Sequence, residues 1–311
     1  MNQKLFTPVM IAVFSILFFW PVTLRAHGVV GKRFFPASVV VEDPFPADEM
    51  TLVAPLYIKG PEGKELSMGF EIQKRLSPNL GLSIGDEYVS INPNEEGLST
   101  EKGFLNPEFT LTYAMFRSPE HEYIASTALS VEPGGVGPDK TGAEDLTHLT
   151  PAILLGKGFG DLPDGLSYLK PFALSGRVGL DAAMGKSDDA GEIANRLTYG
   201  LVIEYSIPYL QSFVKDIGIP WPFSRMFPIA ELTYEVPISG PEAHKATGFI
   251  NPGVVWTGKF FELGLEARIP LNDRTGNHVG VAGLIHLFLD DIAPDFFTWT
   301  PFGGILGPTR Q

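Results

Sequence analysis

A serine in a hydrolase-like pattern, six histidines and a majority of carboxylates among the charged groups are the residues of this chain with reactive potential. Gly81-Leu82-Ser83-Ile84-Gly85 matches G-x-S-x-G. That pattern works only on a strained strand-to-helix turn that lifts the hydroxyl out of a sheet, and here the alternation runs on through Tyr88 and Val89 as a strand. Ser83 therefore reads as an ordinary inward serine. His286 shares its parity with Gly280, Ala282 and Leu284 and reads as an inward structural histidine; a catalytic role would need a serine on a neighbouring strand. His121, His148, His244 and His278 fall at loops or strand ends, at no spacing suited to a shared metal. His27 has one chemical option of its own. If a leader is cleaved before it, an imidazole and a free amine would lie together and could chelate copper; the plain reading is a residue that merely follows a cleavage site. No catalytic residue and no cofactor motif is assigned.

The carboxylates carry more information, because their spacing is two. In Phe260 to Ile269 the odd positions are all apolar, while Glu262, Gly264, Glu266 and Arg268 occupy even ones. Successive side chains of a strand point to opposite faces, so this segment has one apolar and one polar side. In Met226 to Val236 the apolar set is even, and Glu231, Thr233 and Glu235 are odd. The same parity turns Glu71, Gln73, Glu108, Thr110, Thr112, Arg177, Asp181, Arg196 and Glu204 to the polar side.

Turn signals divide the chain into about twelve such strands, with ten to fourteen compatible. They run over 50–59, 64–76, 80–91, 104–116, 123–132, 147–156, 169–181, 193–207, 226–236, 247–257, 260–269 and 279–289. The expectation is an all-β fold, an antiparallel transmembrane β-barrel with apolar residues facing lipid and charges facing the lumen. Loop lengths agree with a barrel whose first strand rises from the periplasm. Asn92 to Lys102, Pro133 to Leu146, Ala182 to Glu192 and Ile238 to Lys245 are long, polar external loops, whereas Ser77 to Asn79, Arg117 to Glu122 and Gly258-Lys259 are short. Pro208 to Ser224 breaks the pattern. Its Tyr209, Phe213, Ile217, Ile219, Trp221 and Phe223 suit either a short amphipathic or interfacial segment at the membrane boundary or a plug-like or capping loop.

At the start, Lys4, the apolar stretch from Phe6 to Trp20 and Leu24-Arg25-Ala26 read as a cleavable secretory signal over residues 1–26. The chain of 311 residues contains 34 Gly, 27 Pro and no Cys. That composition disfavours long helices and excludes disulfide scaffolds, thiolate metal sites and cysteine nucleophiles. The net charge of −13 becomes about −15 when Lys4 and Arg25 leave with the leader, which argues against nucleic acid as a partner.

The expected organisation is a leader (1–26), an N-terminal periplasmic or plug-like segment (27–49), the barrel (50–290) and an aromatic tail (291–311) with Phe296, Phe297, Trp299 and Phe302. Lys32 and Arg33 are the basic pair that would hold a plug against an acidic lumen. Candidate selectivity residues are Glu71, Glu108, Arg177, Asp181, Arg196, Glu204, Glu231, Glu235, Glu262, Glu266 and Arg268. Such an interior serves either a water-filled, cation-preferring pore or a salt-bridged wall.

The leader, the even strand count and short patterns such as Gly156-Lys157-Gly158-Phe159-Gly160-Asp161 and Leu76-Ser77-Pro78-Asn79-Leu80-Gly81-Leu82 resemble proteobacterial outer-membrane barrels of the transporter group that includes the MetA-pathway phenol-degradation family. The resemblance implies a channel for small molecules, aromatic ones included, and brings no catalytic residues with it. Three classes follow: an outer-membrane channel or transporter in a Gram-negative bacterium, with lipid, the barrel-assembly machinery and a small solute as partners; a membrane-embedded lipid hydrolase; or a periplasmic all-β structural or ligand-binding protein. Aromatic residues near strand ends favour the membrane.

Overall fold

A computed structural model describes residues 28–59, 63–94, 98–184 and 195–303. A small hairpin, β1 (Val29–Val30) and β2 (Arg33–Phe34), comes first. The sheet proper contains β3 (Glu49–Lys59), β4 (Gly63–Ser77), β5 (Leu80–Pro93), β6 (Glu101–Phe104), β7 (Glu108–Ser118), β8 (Tyr123–Glu132), β9 (Thr147–Gly158), β10 (Phe172–Met184), β11 (Arg196–Tyr205), β12 (Met226–Pro237), β13 (Thr247–Thr257), β14 (Phe261–Pro270) and β15 (Gly280–Phe288). Twelve of these strands close an antiparallel barrel, with β15 returning to pair with β3, while short β6 continues the edge of β5. The strand divisions read from turn residues hold to within a few positions, with one exception. The expected strand 104–116 is two, because Asn106 and Pro107 interrupt it: Pro107 lacks an N–H, and the Asn106 side chain accepts the N–H groups of Val136 and Gly137, both at 3.0 Å, from the next loop.

Parity separates the two faces. On β14 Leu263 and Leu265 are 41% and 59% exposed, whereas Glu262 and Glu266 are 0% and 2%. On β4 the outward set is Leu66, Met68, Phe70 and Ile72. One end of the barrel has the connections after β4, β7, β9, β11 and β13 and is called here the turn end; the other is the loop end. Aromatic pairs gather near the turn end, Phe116 with Tyr123, Phe172 with Tyr205 and Trp256 with Phe261. The 208–224 region contains a helical turn, α1 (Ile207–Tyr209), running into a π-type turn over Leu210–Val214. It buries Tyr209 and Leu210 and exposes Phe213, Ile217, Trp221 and Phe223. Past β15 come α2 (Leu289–Ile292) and α3 (Pro294–Phe297), and Phe302 N–H reaches back to Leu76 O at 2.8 Å.

The interior differs from the expected lining of carboxylates and a few arginines. Residues 28–48 run inside the barrel and bring apolar side chains with them. Phe34 and Val39 pack with Phe227, Ile229, Val255, Ala282, Leu284 and Phe288 on one wall. Val30, Phe35 and Phe45 pack with Ala114, Ile124 and Ala173 on the other. The lumen face of these strands is therefore apolar over these two patches, since two apolar surfaces meeting away from water are stabilised by about 25 cal/mol per Å².

Candidate functional site

The segment enters at the turn end, climbs to the middle of the lumen and returns to become β3. Its entry is fixed by Arg33, fully buried, whose Nη1 donates to Pro171 O at 2.8 Å, whose Nη2 donates to Lys170 O and whose Nε meets Glu122 Oε2 at 3.3 Å. The guanidinium lies 4.0 Å from the Tyr209 ring, and Tyr209 donates its hydroxyl to the other oxygen of Glu122 at 2.9 Å. Burial first, and then the Glu122 carboxylate, push the Tyr209 hydroxyl up to about 12, so it stays a donor. Glu122 also accepts Gly160 N–H at 3.1 Å. Three connections at the turn end are thus tied to one arginine. Lys32, its neighbour, is exposed and lies 5.5 Å from the Phe213 ring.

At the top of the climb the wall holds the backbone. Glu231 accepts the N–H groups of Val39, Val40 and Val41 at 2.6, 3.0 and 2.7 Å. Glu262 accepts Ala37 N–H at 2.8 Å and Thr257 Oγ1–H at 2.7 Å. On the way down, Ser126 donates to Pro44 O and Gln73 accepts Ala47 N–H. Gly200 and Gly264 leave room for this path, since a Cβ on either would lie 2.6 Å from Val41 Cγ1 or 2.7 Å from Val39 Cγ2.

Beside this seat lie two neighbouring cavities, of 430 and 390 Å³. Both are lined by Val40, Val41, Glu42 and Glu108. The larger adds Asp43, Glu49, Glu71, Asp86, Glu87, Glu132 and His286; the smaller adds Arg177, Thr198, Glu235 and Arg268. Arg177 pairs with Glu42 at 2.9 Å, and Arg268 lies 3.8 Å from the Phe249 ring. At the loop-end rim His148 is held between Asp181 and Glu144, at 2.6 Å from each, and Arg196 meets Asp181 at 2.9 Å, Glu144 at 2.7 Å and Glu235 at 3.6 Å.

The candidate residues therefore separate into groups. Glu71, Glu108, Arg177 and Arg268 line the cavities; Asp181, Arg196 and Glu235 join the rim network; Glu204, Glu231, Glu262 and Glu266 are buried beside the N-terminal segment. His27 lies outside the described residues. Ser83 and His286 line the same cavity, but Thr51 and Glu49 occupy the two ring nitrogens of His286 at 3.2 and 3.3 Å, and Ser83 stands on an uninterrupted strand. Glu42, Asn106, Glu122 and Tyr209 were not among the candidates. Glu122 sits in a turn, Pro119-Glu120-His121-Glu122, with the composition of a solvated one, yet in the fold it is buried and its backbone is left-handed (φ 48°).

No family model matches the chain, and no curated protein matches it. Among solved structures it is similar to the NanC porin, at 10% identity and a TM-score of 0.47 over 76% of this chain and 98% of that one. LpxR from Salmonella typhimurium matches at 11% identity and a TM-score of 0.41, over 77% of this chain and 99% of that one. Outer membrane phospholipase A from Escherichia coli matches at 12% identity and a TM-score of 0.39, over 78% and 97%.

Proposed function

We propose that the protein is an outer-membrane channel of a Gram-negative bacterium that admits small cationic or neutral solutes to an acidic outer vestibule, with residues 28–48 as a plug across the inner part of the lumen. The observation that carries this reading is the pair of cavities above Val40 and Val41, where Glu42, Glu71, Asp86, Glu87, Glu108 and Glu132 outnumber Arg177 and Arg268. Carboxylates lining a confined, low-dielectric space concentrate cations and repel anions. The outward apolar belt and the aromatic pairs near one end support a wall in lipid, and the long polar loops at the other end support a turn end that faces the periplasm. Aromatic solutes belong to the proposed range on the sequence resemblance alone.

Conductance across a planar bilayer tests both parts. The full chain is expected to pass little current, and a variant lacking residues 28–45 to pass more and to favour K⁺ over Cl⁻. Heat-modifiable gel mobility checks that the variant still closes its barrel. Equal conductance from two folded forms would remove the plug, and anion preference in the opened form would remove the acidic-vestibule reading.

A further inference from the structure

Glu231 on β12 and Glu266 on β14 flank β13, and both are buried. Gly253 on β13 is what lets them meet. It stands opposite Glu266, and a Cβ there would lie 2.5 Å from Glu266 Cγ, so the glutamate lies across the bare strand with its carboxylate in hydrogen-bonding contact with that of Glu231. Two carboxylates in contact away from water repel each other unless positive charge lies between them. Glu231 has its outer side satisfied by the three valine N–H groups. Glu266 has no such supply: apart from the Glu231 carboxyl itself, no group hydrogen-bonds either of its oxygens.

A third group points to the same place. Asn251 is directly opposite Glu231 in the β12–β13 register, on the same inward face, and is 0% exposed. Neither its Oδ1 nor its Nδ2 has a partner. A buried side-chain amide left unpaired costs free energy, so a native interior supplies it with something. Arg268, two positions beyond Glu266, is close enough for its charge to act on both carboxylates, but its guanidinium is stacked on Phe249 at 3.8 Å and hydrogen-bonds neither.

We propose that Glu231, Asn251 and Glu266 hold a hard divalent cation of the calcium class beneath the seat of the N-terminal segment. The available donors are all oxygen: both oxygens of Glu266, Asn251 Oδ1, and Glu231 Oε1, which accepts only Val39 N–H. Calcium takes roughly six to eight oxygen ligands with flexible geometry and accepts water among them, whereas magnesium demands a tighter octahedron. Glu231 would then serve the ion on one side and the backbone of Val39, Val40 and Val41 on the other, so that occupancy stiffens the seat. This site does not depend on whether the barrel conducts.

The test uses the full chain in detergent, stripped with chelator and titrated with calcium chloride and separately with magnesium chloride, reading Tm and heat of binding. An ion that binds only the folded form raises Tm in a saturable way. The expected result is a calcium response stronger than the magnesium one, absent in Glu266→Gln and weakened in Asn251→Ser. A native chain without a calcium response would overturn the site and leave a shared proton or a water between the carboxylates. A response unchanged in Glu266→Gln would overturn it too, as would one lost in Glu108→Gln alone, which assigns the ion to the vestibule. Where Glu266→Gln does not fold, an unchanged response in Asn251→Ser is the overturning result.

Discussion

Arg33 and Glu122 meet at 3.3 Å where neither side chain reaches water, 89 positions apart in the chain. One belongs to the first hairpin and the other to the turn between β7 and β8. Their contact fixes where the N-terminal segment enters the barrel, because the remaining donors of Arg33 go to the carbonyls of Lys170 and Pro171 in the next connection.

Removing one partner of such a buried pair strands the other, which costs about 3–5 kcal/mol. Glu122→Ala is expected to lower unfolding free energy in detergent by that amount. The double variant Arg33→Met with Glu122→Leu should cost much less than the two single changes together. Additive costs would show that the pair is not coupled.

Tyr209 gives the same network a pH signature. Its hydroxyl ionises near 10 in an unfolded chain and is pushed up to about 12 in the fold, chiefly by burial. The folded form therefore keeps its proton longer, and the stabilisation it provides is full below about 10 and lost as pH rises toward 12. Tyr209→Phe should be less stable than the native chain at pH 8 by about 1.5–3 kcal/mol, the worth of a hydrogen bond to a charged group. That gap should close between pH 10 and 12. A gap that stays constant through that range would overturn the raised ionisation of the hydroxyl.

The seat itself can be weakened without disturbing the wall. Glu231→Gln keeps the shape but removes the charge that three N–H groups share, a loss of about 1.5–3 kcal/mol. Hydrogen exchange of the Val39, Val40 and Val41 amides is expected to speed up while that of β8 and β9 amides does not. Equal protection in both proteins would exclude Glu231 as the holder of the segment.

A bulkier wall tests the path by exclusion. Gly200→Ile puts atoms where Val41 lies, since even a Cβ there would lie 2.6 Å from its Cγ1. The branched residue suits a strand, so the barrel should still close while residues 28–48 become cleavable by added protease. A segment that stays protected would place it elsewhere.

On the lipid side, Leu265→Arg is expected to cost about 2–4 kcal/mol of folding free energy in liposomes, the range for a cation near the midplane. The same substitution at Leu98, in a loop, should cost little. Equal effects would contradict the outward assignment of β14.

Much of the wall was legible in the sequence because its physics is local. Alternation in Phe260 to Ile269 has a period of two whatever the rest of the chain does, and Asn-Pro or Gly-Pro clusters end strands by their own backbone limits. Residues 28–48 offered no such handle. Val39-Val40-Val41 has neither alternation nor charge, and the interactions that place it are backbone N–H groups meeting a glutamate 190 or more positions later. Lys32 and Arg33 were both candidates as a basic pair, yet one is exposed and the other fully buried; only the turns around Glu122 distinguish them. Parity turns Glu231 and Glu266 to the polar side, and in the fold that side lies buried against another part of the chain.

The N-terminal segment continues without a break into β3, one of the two strands at which the ring is sealed, and its acceptors stand on β12 and β14. Synthesis makes the segment early and Glu231 and Glu262 late, so its amides wait for most of the chain to appear before they find their oxygens. Such long sequence separation slows assembly. It also joins the interior to the seam: the chain that packs inside the barrel is continuous with the strand that completes the circumference, so a change that unseats one bears on the other.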